Sequence, residues 1–170
     1  MNERIRKTVY LSLGSNLGDR YTNIMRAISK IQRIPDVDLR SIAPLYETEP
    51  VGATEHPVYL NTALRMETQL TPVELLDRCQ EIEAELGRVN KGELQPRMID
   101  IDILLYDDLI LEQPELRIPH PRIKERIFVL KLLTDLEPEL KCPVTEHKYS
   151  QLLESEHANQ RIELFRRGVN

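Results

Sequence analysis

Met98-Ile99-Asp100-Ile101-Asp102-Ile103-Leu104-Leu105-Tyr106 is the stretch on which the fold turns. Branched and aromatic residues dominate it, as they do in strands, yet it carries two aspartates, which strands disfavour. Residues i and i+2 of a strand share a face, so Asp100 and Asp102 project together, roughly 6.6 Å apart along the chain. Ile99, Ile101, Ile103 and Leu105 are then expected to point the other way, into a core. At an effective dielectric near 20, carboxylates so placed repel by about 2–3 kcal/mol. A hard cation between or above them reverses that cost, and carboxylates with substrate phosphates are the usual holders of Mg2+. Such a pair also suits the solvated face of an amphipathic strand, so its neighbours decide.

Those neighbours are basic. Arg88 and Arg97 bracket the polar loop before the aspartates, with Lys91 between them, and His120, Arg122 and Arg126 follow the next hairpin. Carboxylates for a metal and arginines for phosphate oxygens are the recurring parts of phosphoryl transfer. Tyr59 and Asn61 form a third element. They share the polar face of an alternating strand over Val58–Glu67, opposite Val58, Leu60, Thr62, Leu64 and Met66. A ring and an amide aimed into one space can stack on and hydrogen-bond a flat heterocycle. Phe128 reads by default as a core residue.

Further from the aspartates, strand and helix patterns alternate. Thr8–Leu13 reads as a strand, and Gly14–Asp19 as a turn into a helix whose Tyr21, Ile24, Met25, Ile28 and Ile31 recur at helical spacing. Pro35-Asp36 ends that helix, and Val37–Tyr46 reads as extended. Thr71, Pro72 and Glu74 spell a capping box with proline at the first helical position. Leu75, Leu76, Cys79, Ile82 and Leu86 give the buried stripe of this second helix, and Gly87 stands where a C-terminal glycine belongs. Asp107-Asp108 reads as a turn with Leu109–Leu111 returning beside the aspartate strand. A third helix is expected from near Pro121 through Leu133, and a short one over Tyr149–Glu154. The last residues are expected to be peripheral and to fray. Antiparallel hairpins with helices between strands indicate an α+β sandwich rather than a doubly wound parallel sheet.

Composition bounds the rest. The 170 residues suit one domain, 1–170, with 41% hydrophobic and 30% charged residues. The net charge of -5 argues against a broad nucleic-acid footprint. No run approaches the roughly eighteen apolar residues of a membrane span, and the short apolar run at the N-terminus does not make a signal-peptide core. Cys79 and Cys142 form no metal-spaced pair and read as free thiols of a reducing cytoplasm. Neither a Walker A motif nor a GxGxxG fingerprint is present, so a nucleotide would be held by other means.

Five segments, taken in order, resemble the 6-hydroxymethyl-7,8-dihydropterin pyrophosphokinase family over roughly residues 8–137. They are Leu13-Gly14-Ser15-Asn16-Leu17-Gly18; Tyr46-Glu47-Thr48-Glu49-Pro50-Val51-Gly52; Tyr59-Leu60-Asn61; Gly87-Arg88-Val89 through Pro96-Arg97-Met98 to Leu105; and Ile118-Pro119-His120-Pro121-Arg122 with Arg126-Ile127-Phe128-Val129-Leu130. The resemblance implies a ferredoxin-like αβα sandwich with a mainly antiparallel sheet. It implies pyrophosphoryl transfer from ATP to the pterin hydroxymethyl group in folate synthesis, with release of AMP. Asp100 and Asp102 would hold two Mg2+ ions. Arg88 and Arg97 would act on the triphosphate, His120 and Arg126 would contact ATP with Gln80 and Glu83 at its edge, and Ile103, Leu116 and Arg117 would line the adenosine site. Tyr59 and Phe128 would flank the pterin, and Asn61 would bond its polar edge, helped by backbone groups of Thr48 and Val51. Small molecules are the expected partners, with neither nucleic acid nor membrane, and a cytoplasmic monomer is expected rather than an oligomer. Glu93-Leu94-Gln95 departs from the family's usual Arg-Trp-Gly run and reads as a variant lid. Two rivals stand beside this reading. A γ-phosphoryl kinase would leave ADP, and a non-enzymatic ferredoxin-like module, for RNA as an example, would show exposed aromatics in a basic surround instead of aspartates.

Overall fold

The computed structural model describes residues 4–50, 55–87, 96–155 and 160–168. In chain order these form β1 (Lys7–Ser15), α1 (Arg20–Gln32), β2 (Val37–Ile42), β3 (Tyr46–Thr48), β4 (Tyr59–Thr68) and α2 (Pro72–Glu85). β5 (Asp100–Tyr106), β6 (Leu111–Glu112), β7 (Arg117–Ile118), α3 (Ile127–Leu136), α4 (Tyr149–Ser155) and β8 (Ile162–Leu164) follow. The main sheet runs β5-β1-β4-β3-β8, and β2 also pairs with β4. All of its pairings are antiparallel.

β1 is the centre of this arrangement. It pairs with β4 from Lys7↔Thr68 to Ser15↔Leu60 and with β5 from Val9↔Tyr106 to Gly14↔Asp100. Pairing on both edges carries it past Leu13, where the sequence pattern alone would stop it. Asp19 caps α1 by accepting from the Thr22 N–H, and the Thr71–Glu74 capping box starts α2 as the sequence indicates. Gly87, just past α2, has φ +99°, a conformation costly for any residue with a Cβ.

α1 and α2 cover one face of the sheet. Ile24, Ala27, Ile28 and Ile31 join Leu75, Leu76, Cys79 and Ile82 against Leu11, Leu13, Leu60, Leu64 and Met66. α3 and α4 cover the other face, over Tyr10, Leu104, Leu105 and Ala63. This is the layered α+β sandwich expected. Cys79 and Cys142 are buried free thiols.

Five local expectations are corrected. Leu105 does not follow Ile99, Ile101 and Ile103 into the α1–α2 core but packs with Leu104 under α3. The cause is a register shift opposite Tyr10/Leu11, which inserts an extra residue in β5 and reverses its alternation. Leu111 does not return beside β5; it pairs with Ile118 in a separate two-stranded ribbon, because Asp107, at φ 45°, turns the chain out of the sheet. The third helix starts at Ile127, six residues past Pro121. Residues 121–125 instead make turns closed by bonds such as Arg126 N–H to Ile123 carbonyl, 3.3 Å. Residues 162–164 do not fray but pair with β3, and the extended stretch at 37–46 breaks into β2 and β3 around Pro44.

Candidate active site

The register of three strands builds the site. Gly14 lies opposite Asp100 on one side and Asn61 on the other, and Ser12 lies opposite Asp102 and Ala63. Partners in an antiparallel sheet face the same side, so Asp100, Gly14 and Asn61 form one row on the face that α3 covers. Two strand spacings put the aspartate and the asparagine about 10 Å apart, with no side chain between them. A Cβ on Gly14 would stand 2.7 Å from Asn61 Oδ1. The missing side chain therefore opens a groove that joins the carboxylates to the amide.

Tyr59, Asn61, Thr48, Asp100, Asp102, Arg97, Arg122, Arg126 and Phe128 line a single cleft, together with Gly14, His56 and Pro50. Asn61 is buried and donates from Nδ2 to Thr48 Oγ1 at 2.6 Å. That bond fixes which way the amide faces and leaves its oxygen toward Gly14. Thr48 thus holds Asn61 through its hydroxyl, a contact separate from the backbone role toward the pterin that the resemblance implies. Phe128, in the first turn of α3, is half-buried. It packs against both clusters on that face, as a core residue does, and also lines the cleft.

At the other end of the groove each carboxylate meets a cation. Arg97 Nη1 lies 2.9 Å from Asp100 Oδ2, with both side chains under one-fifth exposed. Arg126 Nη1 lies 3.5 Å, and His120 Nε2 4.0 Å, from Asp102 Oδ2. His120 accepts at Nδ1 from the Arg122 N–H, 3.2 Å, which leaves Nε2 as the protonated nitrogen facing Asp102. Burial pushes its pKa below the ordinary value, and Asp102 offsets this only in part. Asp102 also borders a second hollow with Ile103, Leu116, Arg117, His120 and Leu76. The residues assigned to adenosine therefore come together beside the carboxylates and away from Tyr59 and Asn61.

Two assignments take a different form. Glu83 is buried in α2, and its Oε1 accepts the Ile101 N–H at 2.8 Å, fastening the strand between the two aspartates. Gln80 is exposed on α2. Arg88, Val51 and the Glu93-Leu94-Gln95 lid lie outside the described residues. Asn16 was not singled out, yet it holds the arginine. Its buried side chain accepts from the Arg97 N–H at 2.7 Å, and its own N–H donates to the Arg97 carbonyl at 3.0 Å. The available signal was slight: an amide directly after β1, which has Val9, Leu11 and Leu13 on one side and Thr8, Tyr10, Ser12 and Gly14 on the other. Asn23 secures the same turn by donating to the Leu17 carbonyl at 2.9 Å.

Fold and site together suit a phosphate-handling enzyme on a ferredoxin-like sandwich. The model of the 7,8-dihydro-6-hydroxymethylpterin-pyrophosphokinase (HPPK) family matches residues 10–138, and the chain belongs to that family. It is 40% identical over 139 residues to the 2-amino-4-hydroxy-6-hydroxymethyldihydropteridine pyrophosphokinase of Pseudomonas aeruginosa, covering 82% of this chain and 86% of that one. The enzyme of the same name from Bacillus subtilis is 38% identical over 142 residues, 84% and 85% of the two chains. The folic acid synthesis protein fol1 of Schizosaccharomyces pombe is 41% identical over 148 residues, but the match spans 87% of this chain and only 20% of that protein. Among solved structures, Plasmodium falciparum HPPK-DHPS with pteroate superposes with a TM-score of 0.72 at 16% identity, over 91% of this chain and 43% of that one.

Proposed function

We propose that the chain transfers the pyrophosphoryl group of ATP to the hydroxymethyl oxygen of 6-hydroxymethyl-7,8-dihydropterin, releasing AMP, in folate synthesis. The observation that carries this reading is the groove over Gly14. It joins an aromatic-and-amide pocket to a carboxylate-and-arginine pocket about 10 Å away, the reach from a bicyclic ring to phosphates attached beyond its side arm. The family and its bacterial relatives point to the same chemistry.

Asp100 and Asp102 fit Mg2+. They are hard oxygen donors on one face, open to the cleft, and among the described residues no third His, Cys, Asp or Glu joins them in a closed cage. That suits an ion that keeps several waters and takes substrate phosphates as its remaining ligands. Two such ions, held by Asp100 and Asp102, would neutralise phosphate charge and favour ionisation of the attacking hydroxyl. The protein's own side chains do the rest. Tyr59 and Phe128 flank the pterin, and Asn61, oriented by Thr48, bonds its edge. Arg97 and Arg126 exchange their carboxylates for phosphate oxygens, charge-assisted bonds that strengthen as charge moves onto the transferring group. Neutral His120 donates from Nε2 toward the same phosphates, and Ile103, Leu116 and Arg117 seat the adenosine. Arg88 and the backbone of Val51 complete the phosphate and pterin sets, with Gln80 and Glu83 at the nucleotide's edge. The enzyme works as a cytoplasmic monomer on small molecules, without nucleic acid or membrane; among the described residues no helix is long and apolar enough to cross a membrane.

The test is the nucleotide product. Incubation with ATP, Mg2+ and the hydroxymethyl pterin should give AMP, followed by phosphorus NMR. Formation of ADP and a pterin monophosphate would instead establish the γ-phosphoryl kinase reading.

A further inference from the structure

The family match ends at residue 138, and β8 lies beyond it. β8 lays its three residues along β3, pairing Thr48↔Ile162, Glu47↔Glu163 and Tyr46↔Leu164. The ladder continues at both ends: Phe165 N–H donates to the Leu45 carbonyl at 2.8 Å, and Gln160 Nε2 to the Glu49 carbonyl at 3.3 Å. β3 needs such support. It is three residues long and ends at Thr48, whose hydroxyl orients Asn61. Without β8 it would be a short edge strand paired only to β4, a marginal arrangement.

β8 is itself anchored at two points. Ile162 packs in the cluster of Tyr46, Ala63 and Leu132 that also supports Phe128. Phe165 packs against the α1–α2 core, its ring 6.2 Å from that of Tyr21, and Arg167 lies over the Tyr21 ring at 4.6 Å. Glu47 and Glu163 face each other as like charges, an unfavourable cross-strand pair. Each is met by an arginine, Arg20 at 3.1 Å and Arg161 at 2.7 Å. Arg20 also donates to the Val58 carbonyl, 3.0 Å, directly before Tyr59. The contacts of β8 therefore converge on the supports of Thr48, Asn61, Tyr59 and Phe128. None of the hydrogen bonds, ion pairs and ring contacts named reaches Asp100, Asp102 or the hollow beside Leu116.

We propose that β8 is a positioning strand for the pterin half of the site, with Ile162 and Phe165 as its anchors. This rests on the assignment of that half to the pterin. The test is calorimetry with 6-hydroxymethyl-7,8-dihydropterin titrated into protein saturated with Mg2+ and α,β-methylene ATP. The nucleotide analogue is titrated separately. Three proteins are compared: the intact chain, a variant ending at residue 159, and Phe165→Ala, which loosens β8 from a position outside the cleft. Both variants should bind the pterin more weakly by on the order of tenfold, the weight of one misplaced hydrogen bond, while nucleotide affinity stays within about twofold. In turnover, the pterin KM should rise and kcat at saturation should hold. A peptide of residues 160–168 should restore pterin affinity to the shortened chain. If that chain fails to fold, Phe165→Ala decides alone. Folded variants that bind the pterin as tightly as the intact chain, or that lose both ligands equally, overturn the positioning role. An intact chain that binds no pterin overturns the assignment of the site itself.

Discussion

Gly14 stands between Asp100 and Asn61 in one row of the sheet, and its replacement is the most local test of the groove. A methyl group there would stand 2.7 Å from Asn61 Oδ1, so the buried amide must turn and strain its bond to Thr48. Gly14→Ala should therefore raise the pterin KM by on the order of tenfold, the weight of about one hydrogen bond, with ATP binding little changed; steady-state kinetics in both substrates shows it. The aspartates answer differently. Asp100→Asn and Asp102→Asn should each remove most activity and weaken Mg2+-dependent ATP binding. Their mutual repulsion is opposed by their pairing: Arg97 and Arg126 already meet the carboxylates and would each lose a partly buried partner. A loss on the order of 1 kcal/mol is expected, between exposed and buried ion pairs, measurable as a lower denaturation midpoint in the absence of nucleotide.

The elements hold these residues through their ends. The turn between β1 and α1 carries Asn16, which clamps Arg97 on both sides of its peptide. Asn16→Ala should leave the half-buried Arg97 N–H without this acceptor and cost about 1 kcal/mol. Its signature in rate should be a lower kcat with an unchanged pterin KM, since Arg97 is proposed to meet the phosphates. Asp19, which caps α1, has its carboxyl held below the ordinary value of 3.8 by hydrogen bonds from the Thr22 backbone and side chain. A depressed folded pKa contributes stability above the unfolded pKa that is lost as pH falls through the folded value. The Tm gap between wild type and Asp19→Ala should thus be open at neutral pH and close in strong acid. These elements also show what a sequence can disclose. The α2 capping box and the apolar stripes of both helices are local patterns, and they were legible. The β5 bulge and the attachment of 162–164 to β3 depend on partners remote in sequence, and no local period encodes them.

At the scale of the whole molecule, the sheet brings together what the chain keeps apart. Asn61 and Asp100 become neighbours of one glycine only through the register of β1 with two other strands. The sequence marked the aspartate pair, the arginines and the Tyr59–Asn61 face as separate signals. Their junction, and the clamp by Asn16, followed only from the topology. The central claim is that pyrophosphate moves as a unit from ATP in one half of that cleft to a pterin in the other. Turnover with ATP labelled at the β-phosphorus tests it most directly. The expected result is label in the pterin product together with the γ-phosphorus and none left on the nucleotide; label remaining with the nucleotide, as ADP, would contradict it.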